Sequence, residues 1–284
     1  KKEDEEFVYN HAICAMALAE IYAMSNDPNL KGKAQRSVDF IVHAQNPGMG
    51  WRYGVKPGEN DSSVTAWMVL ALKSAKLADL SFNEKVVYDG ANKWYDKAIG
   101  KSGAYETCGY NGPPDPSGGF SNARLGDAQD FENNPSMDAC AAMVRLFSNA
   151  AAPGERGMNG HVRNMLSVLP AWDRFKIDYY YWYYASLALF QVGGTQWDQW
   201  EKSLIHPVLL KYQRGWHPED LKAFGKDISR VGDAPDAGKW KLDEHGSWDA
   251  VDAWATAGGR VYSTAINCLT LEVYYRYERL HGKK

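Results

Sequence analysis

Two kinds of helical segment alternate along the chain, and that alternation restricts the available folds more than any other feature. Five segments are apolar nearly all round the helical wheel: "NHAICAMALAEIYAM" from Asn10, "SSVTAWMVLALKSAK" from Ser62, "SMDACAAMVRLFSNA" from Ser136, "DYYYWYYASLALFQV" from Asp178 and "GRVYSTAINCLTLEVYYRY" from Gly259. A helix of that kind is buried on both sides. Between them lie one-sided helices. Ala34, Val38, Ile41, Val42 and Gln45 share a face opposite Lys33, Arg36, Asp39 and His43, and Val87, Ala91, Trp94, Tyr95 and Ala98 repeat the pattern. Met158, Val162, Met165, Leu166 and Leu169 do so again, as do Trp197, Trp200, Leu204, Val208 and Tyr212. Each presents one face to solvent.

Doubly buried helices alternating with singly buried ones imply two concentric layers, an all-α toroid or α/α barrel of inner and outer helices. A superhelical solenoid is the other architecture the pattern admits. Residues 1–284 are expected to form a single domain. With five inner helices and four outer ones, it is expected to be excised from a longer chain. Segments 101–134 and 214–258 break the alternation, are rich in Gly and aromatic residues, and are expected to be ordered loop insertions capping one end.

Charge and cysteine usage exclude several functions. The net charge of −3 carries no basic footprint for nucleic acid. No window reaches the roughly 20 apolar residues of a bilayer span, so no integral membrane segment is expected. Cys14, Cys108, Cys140 and Cys268 form no CxxC pair, and small buried hydrophobes are the expectation. With 11 Trp and 17 Tyr, the chain is well supplied with side chains that suit a core with a wet edge or the wall of a pocket.

Phe40, Ile41, Gln45, Gly48, Gly50 and Trp51 in "VDFIVHAQNPGMGW" resemble the QW repeat of squalene and oxidosqualene cyclases and of the prenyltransferase β-subunits, with the Gly spacing off by one. A looser copy ends "LLKYQ" at Gln213 and resumes at Gly246–Trp248. In such a repeat the Gln amide bonds the end of a neighbouring helix, the Gly ends its own helix and the Trp covers the junction.

The resemblance implies an α/α toroid and two chemistries. In the cyclases a DxDDTA motif supplies the acid. Here "DSSVTA", Asp61 to Ala66, has Ser63 and Val64 at the inner carboxylate positions, and a helix cap at Asp61 or Ser62 is expected instead. In the protein prenyltransferases an Asp-x-Cys and a later His hold zinc. Here Asp138 and Cys140 match, but Tyr181 stands at the His position of "DYYYWYY", and a phenol is a poor zinc ligand. His161, His206 and His217 are the histidines available to complete such a set from elsewhere. Neither a metal nor another cofactor is expected.

In a toroid of alternating helices the inner N-termini gather at one mouth, with unpaired N–H groups and positive dipole ends. At those ends lie Asn10 and His11, Asp61 and Ser62, Ser136 and Asp138, Asp178 and Tyr181, and Arg260 and Tyr262, and the candidate ligand-binding residues are these except Ser62 and Ser136, together with Trp67, Cys140, Tyr180 and Tyr184. The leading expectation is a domain that takes a small-molecule or protein ligand in a central cavity and lacks the family's catalytic motifs. Two alternatives are an isoprenoid transferase or cyclase with an unrecognised acid, and a carbohydrate-active α/α barrel using Asp138 and Asp178 as an acid and base.

Overall fold

The computed structural model describes residues 7–120, 131–214 and 246–277. Among these the chain is all-α apart from one small hairpin. The helices are α1 (Phe7–Ser25), α2 (Pro28–Ala44), α3 (Ser62–Leu77), α4 (Glu84–Ala98), α5 (Ser136–Phe147), α6 (Arg156–Ser167), α7 (Tyr179–Val192), α8 (Gly194–Leu204), α9 (Ala255–Leu271) and α10 (Val273–Arg276). A hairpin, β1 (Ile99–Ser102) and β2 (Tyr105–Cys108), falls partly inside the expected 101–134 loop. Gly103, at φ 55°, opens its two-residue turn. Most of the 214–258 insertion lies outside the described residues.

The chain divides into two compact units. Among the described residues one holds 7–120 and 133–167, the other 131–132, 168–214 and 246–277. In the first, α3 packs between α1 and α5, with α2 and α4 against its flanks, and α6 packs on α5 and β2. In the second, α7 packs on both α8 and α9.

Helices α3, α5 and α7 are buried over almost every residue, whereas α2, α4, α6 and α8 bury the single faces read from the sequence. Helices α1 and α9 differ from the expectation. Burial on α1 is confined to Val8, Ala12, Ala15, Met16 and Ala19, while Ile21 and Met24 are exposed. On α9 Val261 is exposed. Apolar content marks a helix that can be covered on two sides, and these two have cover on one. Helix α1 is long and apolar enough to cross a membrane by length and composition alone, a test that a core helix also passes. Cys108 and Cys140 are buried as expected, but Cys14 is exposed and Cys268 half-buried.

Local chemistry sets the ends. Asp27 caps α2 through the Asn29 N–H at 2.9 Å, with Pro28 at the first helical position. Gly193 and Gly194, both at positive φ, let α7 pass directly into α8. Pro207 lacks the N–H for an α-helical bond, and the segment Ile205–Leu210 after α8 widens to a π-helical turn.

The two QW-like copies fold alike. Trp51 and Trp248 are fully buried. Trp51 Nε1 donates to the Ile41 carbonyl near the end of α2, and Trp248 Nε1 to the Leu209 carbonyl in the π-helical turn, each at 2.8 Å. Both backbone N–H groups then donate to a threonine hydroxyl on the next helix, Thr65 of α3 and Thr264 of α9. The glycine has another task than ending a helix. A Cβ at Gly50 would stand 2.4 Å from the Thr65 hydroxyl, so its absence is what lets the Trp51 segment reach α3.

Gln45 donates to the Met49 carbonyl at 2.8 Å and to the Val87 carbonyl of α4 at 2.9 Å. A Cβ at Gly90 would meet the Gln45 amide at 2.7 Å and the Met49 carbonyl at 2.8 Å. Replacing Gly90 with Ala is therefore expected to lower stability despite the roughly 1 kcal/mol that Ala gains in a helix. Overpacking costs about 1–3 kcal/mol, and urea unfolding of the variant measures the difference.

Candidate functional site

Helix starts come together within each unit. In the first unit the starts of α3 and α5 are sealed by β2. Asp61 caps α3, its Oδ1 accepting from the Val64 N–H at 2.7 Å. Burial raises its carboxyl above the ordinary carboxylate range, while the Val64 N–H, the Tyr110 hydroxyl and Arg52 hold it down. Tyr110 in turn shares a short hydrogen bond with Tyr53. Ser62 donates to the Gly109 carbonyl at 2.8 Å, and its carbonyl accepts from the Tyr95 hydroxyl at 2.6 Å. The expected cap is present, and Asp61 and Ser62 are fully buried beneath this cover.

Asp138, in the first turn of α5, is fully buried and receives three donors. His161 Nδ1 of α6 lies 2.6 Å from Oδ1, Asn164 Nδ2 lies 3.2 Å from the same oxygen, and the Thr107 hydroxyl of β2 donates to Oδ2. Asn164 also donates to the Glu106 carbonyl at 2.8 Å. One carboxylate thus fastens α5, α6 and β2 together. Both oxygens of Asp138, the residue expected to work with Asp178 as an acid and base, accept hydrogen bonds within the protein.

The zinc set implied by the resemblance does not fit. Both Asp138 oxygens are engaged, and the Tyr181 hydroxyl donates to the Val168 carbonyl at 3.0 Å. Among the described residues no three His, Cys, Asp or Glu side chains are grouped to hold a metal ion. His161 does reach Asp138, as a hydrogen-bond partner. His206 lies on the π-helical turn, and His217 lies outside the described residues.

In the second unit the starts of α7 and α9 meet, with the Ala253 N–H donating to the Ile177 carbonyl at 3.2 Å. Asp178 caps α7 through the Tyr181 N–H at 2.9 Å. Asp252 lies beside it, 2% exposed, and neither of its carboxyl oxygens closes a hydrogen bond with protein. The N–H groups of Trp254 and Tyr179 approach Asp252 and hold its pKa down, but burial, and then the Asp178 carboxylate, push it up to about 8. Asn267 on α9 is fully buried beside the Tyr179 hydroxyl, and both polar atoms of its amide lack a partner at hydrogen-bonding geometry. The Trp254 indole N–H is likewise buried without an acceptor. Polar groups in this state are uncommon in folded proteins and call for a ligand or ordered water.

The remaining candidates separate by direction. Tyr180 turns toward α9, 4.9 Å from the Tyr184 ring and 5.8 Å from Trp254. Tyr181 turns the other way, edge-on to Trp200 of α8. Arg260, just past the α9 kink at Gly259, bonds the Ser247 hydroxyl and Asp249. Burial opposes the ionisation of Asp249, but Arg214 and Arg260 hold its pKa below the ordinary range. Tyr262 stands over Gly258 beside this kink, half-buried. Trp67 donates its indole N–H to the Tyr9 hydroxyl at 2.5 Å. His11 faces α2, bonding the Ser37 carbonyl at 2.9 Å and packing on Phe40, while Asn10 is exposed and Cys140 fully buried.

Sequence reading missed Asp252, Trp254 and Asn267. A lone amide in the apolar run "STAINCLTL" was the available signal for Asn267. No family model matches the sequence, and no curated protein and no solved structure matches the chain.

Proposed function

We propose that the chain is an α/α-toroid domain of the squalene cyclase and prenyltransferase type that lacks both family chemistries and binds a small molecule where α7 and α9 begin. The observation that carries this reading is the set of unpartnered polar atoms on Asp252 and Asn267. The alternation of doubly and singly buried helices and the equivalent Trp51 and Trp248 junctions support the toroid assignment.

A carboxyl, an amide and an indole N–H offer donors and acceptors together, and Tyr180 and Trp254 supply ring faces. That mixture suits a neutral ligand with hydroxyl groups and an apolar face, such as a sugar ring. The Asp178 carboxylate beside Asp252 suits a diphosphate poorly. A thermal-shift panel of mono- and oligosaccharides beside farnesyl diphosphate tests the reading. A saturable rise with a saccharide, absent in Asn267→Ala, is the expected result; no response across the panel, or an undiminished one in the variant, contradicts it.

One observation favours a second reading, an isoprenoid cyclase or transferase with Asp252 as its acid. A carboxyl with a pKa of about 8 remains protonated at neutral pH among aromatic rings, as an acid that protonates an alkene must. Product formed from squalene or a prenyl diphosphate, and lost in Asp252→Asn, supports it. Absence of product from the unmodified chain removes it.

A further inference from the structure

The Asp138–His161 pair borders a second feature, independent of the α7 and α9 starts. A pocket of about 360 Å³ lies in the first unit between α4, the hairpin, α5 and α6, with His161 in its wall. His161 is 3% exposed. Asp138 takes its Nδ1, and Nε2, on the opposite edge of the ring, bonds no protein group. An acceptor facing Nδ1 makes Nδ1 the protonated nitrogen of the neutral imidazole, so Nε2 carries the lone pair.

The other polar groups of the wall are Asp96, Arg145, Glu106 and Glu155. Arg145 is tied to Asp96 at 2.7 Å. Neither Glu106 nor Glu155 has an ion-pair or side-chain hydrogen-bond partner. Ile99 and Met158 supply apolar surface. Beyond the Asp96–Arg145 pair the wall therefore carries a surplus of negative charge and acceptors: two carboxylates beside one imidazole nitrogen.

We propose that this pocket binds a small organic amine in its ammonium form. The ammonium donates one N–H to His161 Nε2 and pairs with Glu106 and Glu155, while its carbon chain lies on Ile99 and Met158. Asp138 is a positioning residue that fixes the ring and its tautomer; Thr107 and Asn164 fix Asp138.

The test is long-range 1H–15N NMR of the imidazole nitrogens in the full chain, with His161 assigned by comparison with His161→Gln. The protein is titrated with 1,4-diaminobutane at constant ionic strength, with butanol and butanoate as controls. The expected result is a Nδ1-protonated ring whose Nε2 resonance moves saturably with the diamine alone. The double variant Glu106→Gln, Glu155→Gln changes exposed side chains and leaves the Asp138 network intact, so it is expected to fold. It is expected to weaken the response at least about tenfold, roughly 1.4 kcal/mol. No saturable movement, equal movement with butanol or butanoate, or full affinity in the double variant overturns the proposal.

Discussion

Asp138→Ala is expected to destabilise the protein by about 2–6 kcal/mol, at roughly 1–3 kcal/mol for each of two buried donors left without an acceptor. The carboxylate is fully buried, and its loss leaves His161 Nδ1 and the Thr107 hydroxyl without their acceptor. Asn164 retains its bond to the Glu106 carbonyl, so one of the three donors is still satisfied. Asp138→Asn keeps the shape but turns one acceptor into a donor facing other donors. It is expected to cost less, about 1–3 kcal/mol. Urea unfolding of both variants measures the order, and equal stability of Asp138→Ala and the unmodified chain would contradict the role of this network as the fastener of α5, α6 and β2.

Asp252 makes the opposite kind of contribution. Its pKa in the folded chain is about 8, against the ordinary 3.8 of an aspartate. Between roughly those limits the folded state holds a proton that the unfolded state has released, so stability falls as pH rises. The cost is absent below the unfolded value and complete above about pH 8. Asp252→Asn removes the charge that must otherwise be buried. It is expected to be more stable than the unmodified chain at pH 9 by a few kcal/mol, with the gap closing toward pH 5. Melting temperatures of the two proteins across this range measure it. A gap that does not change with pH would show that Asp252 does not titrate there.

Which helices are buried all round and which on one face was largely legible in the sequence, because burial on one side or two leaves a direct mark on apolar periodicity. Helices α3, α5 and α7 and the single buried faces of α2, α4, α6 and α8 follow that mark. Helices α1 and α9 did not, since a sequence records that a face is apolar and not whether a neighbour covers it. The hairpin was hidden because "IGKS" and "YETC" are four residues each with no period to read.

The site was legible in part. Asp61 and Asp178 were identifiable as helix starts, because a cap is a local pattern. The sealing of Asp61 and Asp138 by β2 was not, for it depends on Thr107 and Tyr110 arriving from a distant segment. Asp252 was hidden by the kink at Gly259, which placed the start of the helix beyond it. The run Tyr179–Tyr184 reads differently once its directions are known. Tyr181 joins the α8 packing, whereas Tyr180 and Tyr184 belong to the α9 side.

The unpartnered groups at the α7 and α9 starts are expected to receive a ligand. The 15N spectrum of the Trp254 indole and the Asn267 side-chain amide, assigned with Trp254→Phe and Asn267→Ala, reports on them directly. Titration with the saccharide that gives the largest thermal shift is predicted to move both signals together and saturably, and to lose its effect in Asp252→Asn. Signals that stay fixed while the melting temperature rises would place the ligand elsewhere and contradict the claim.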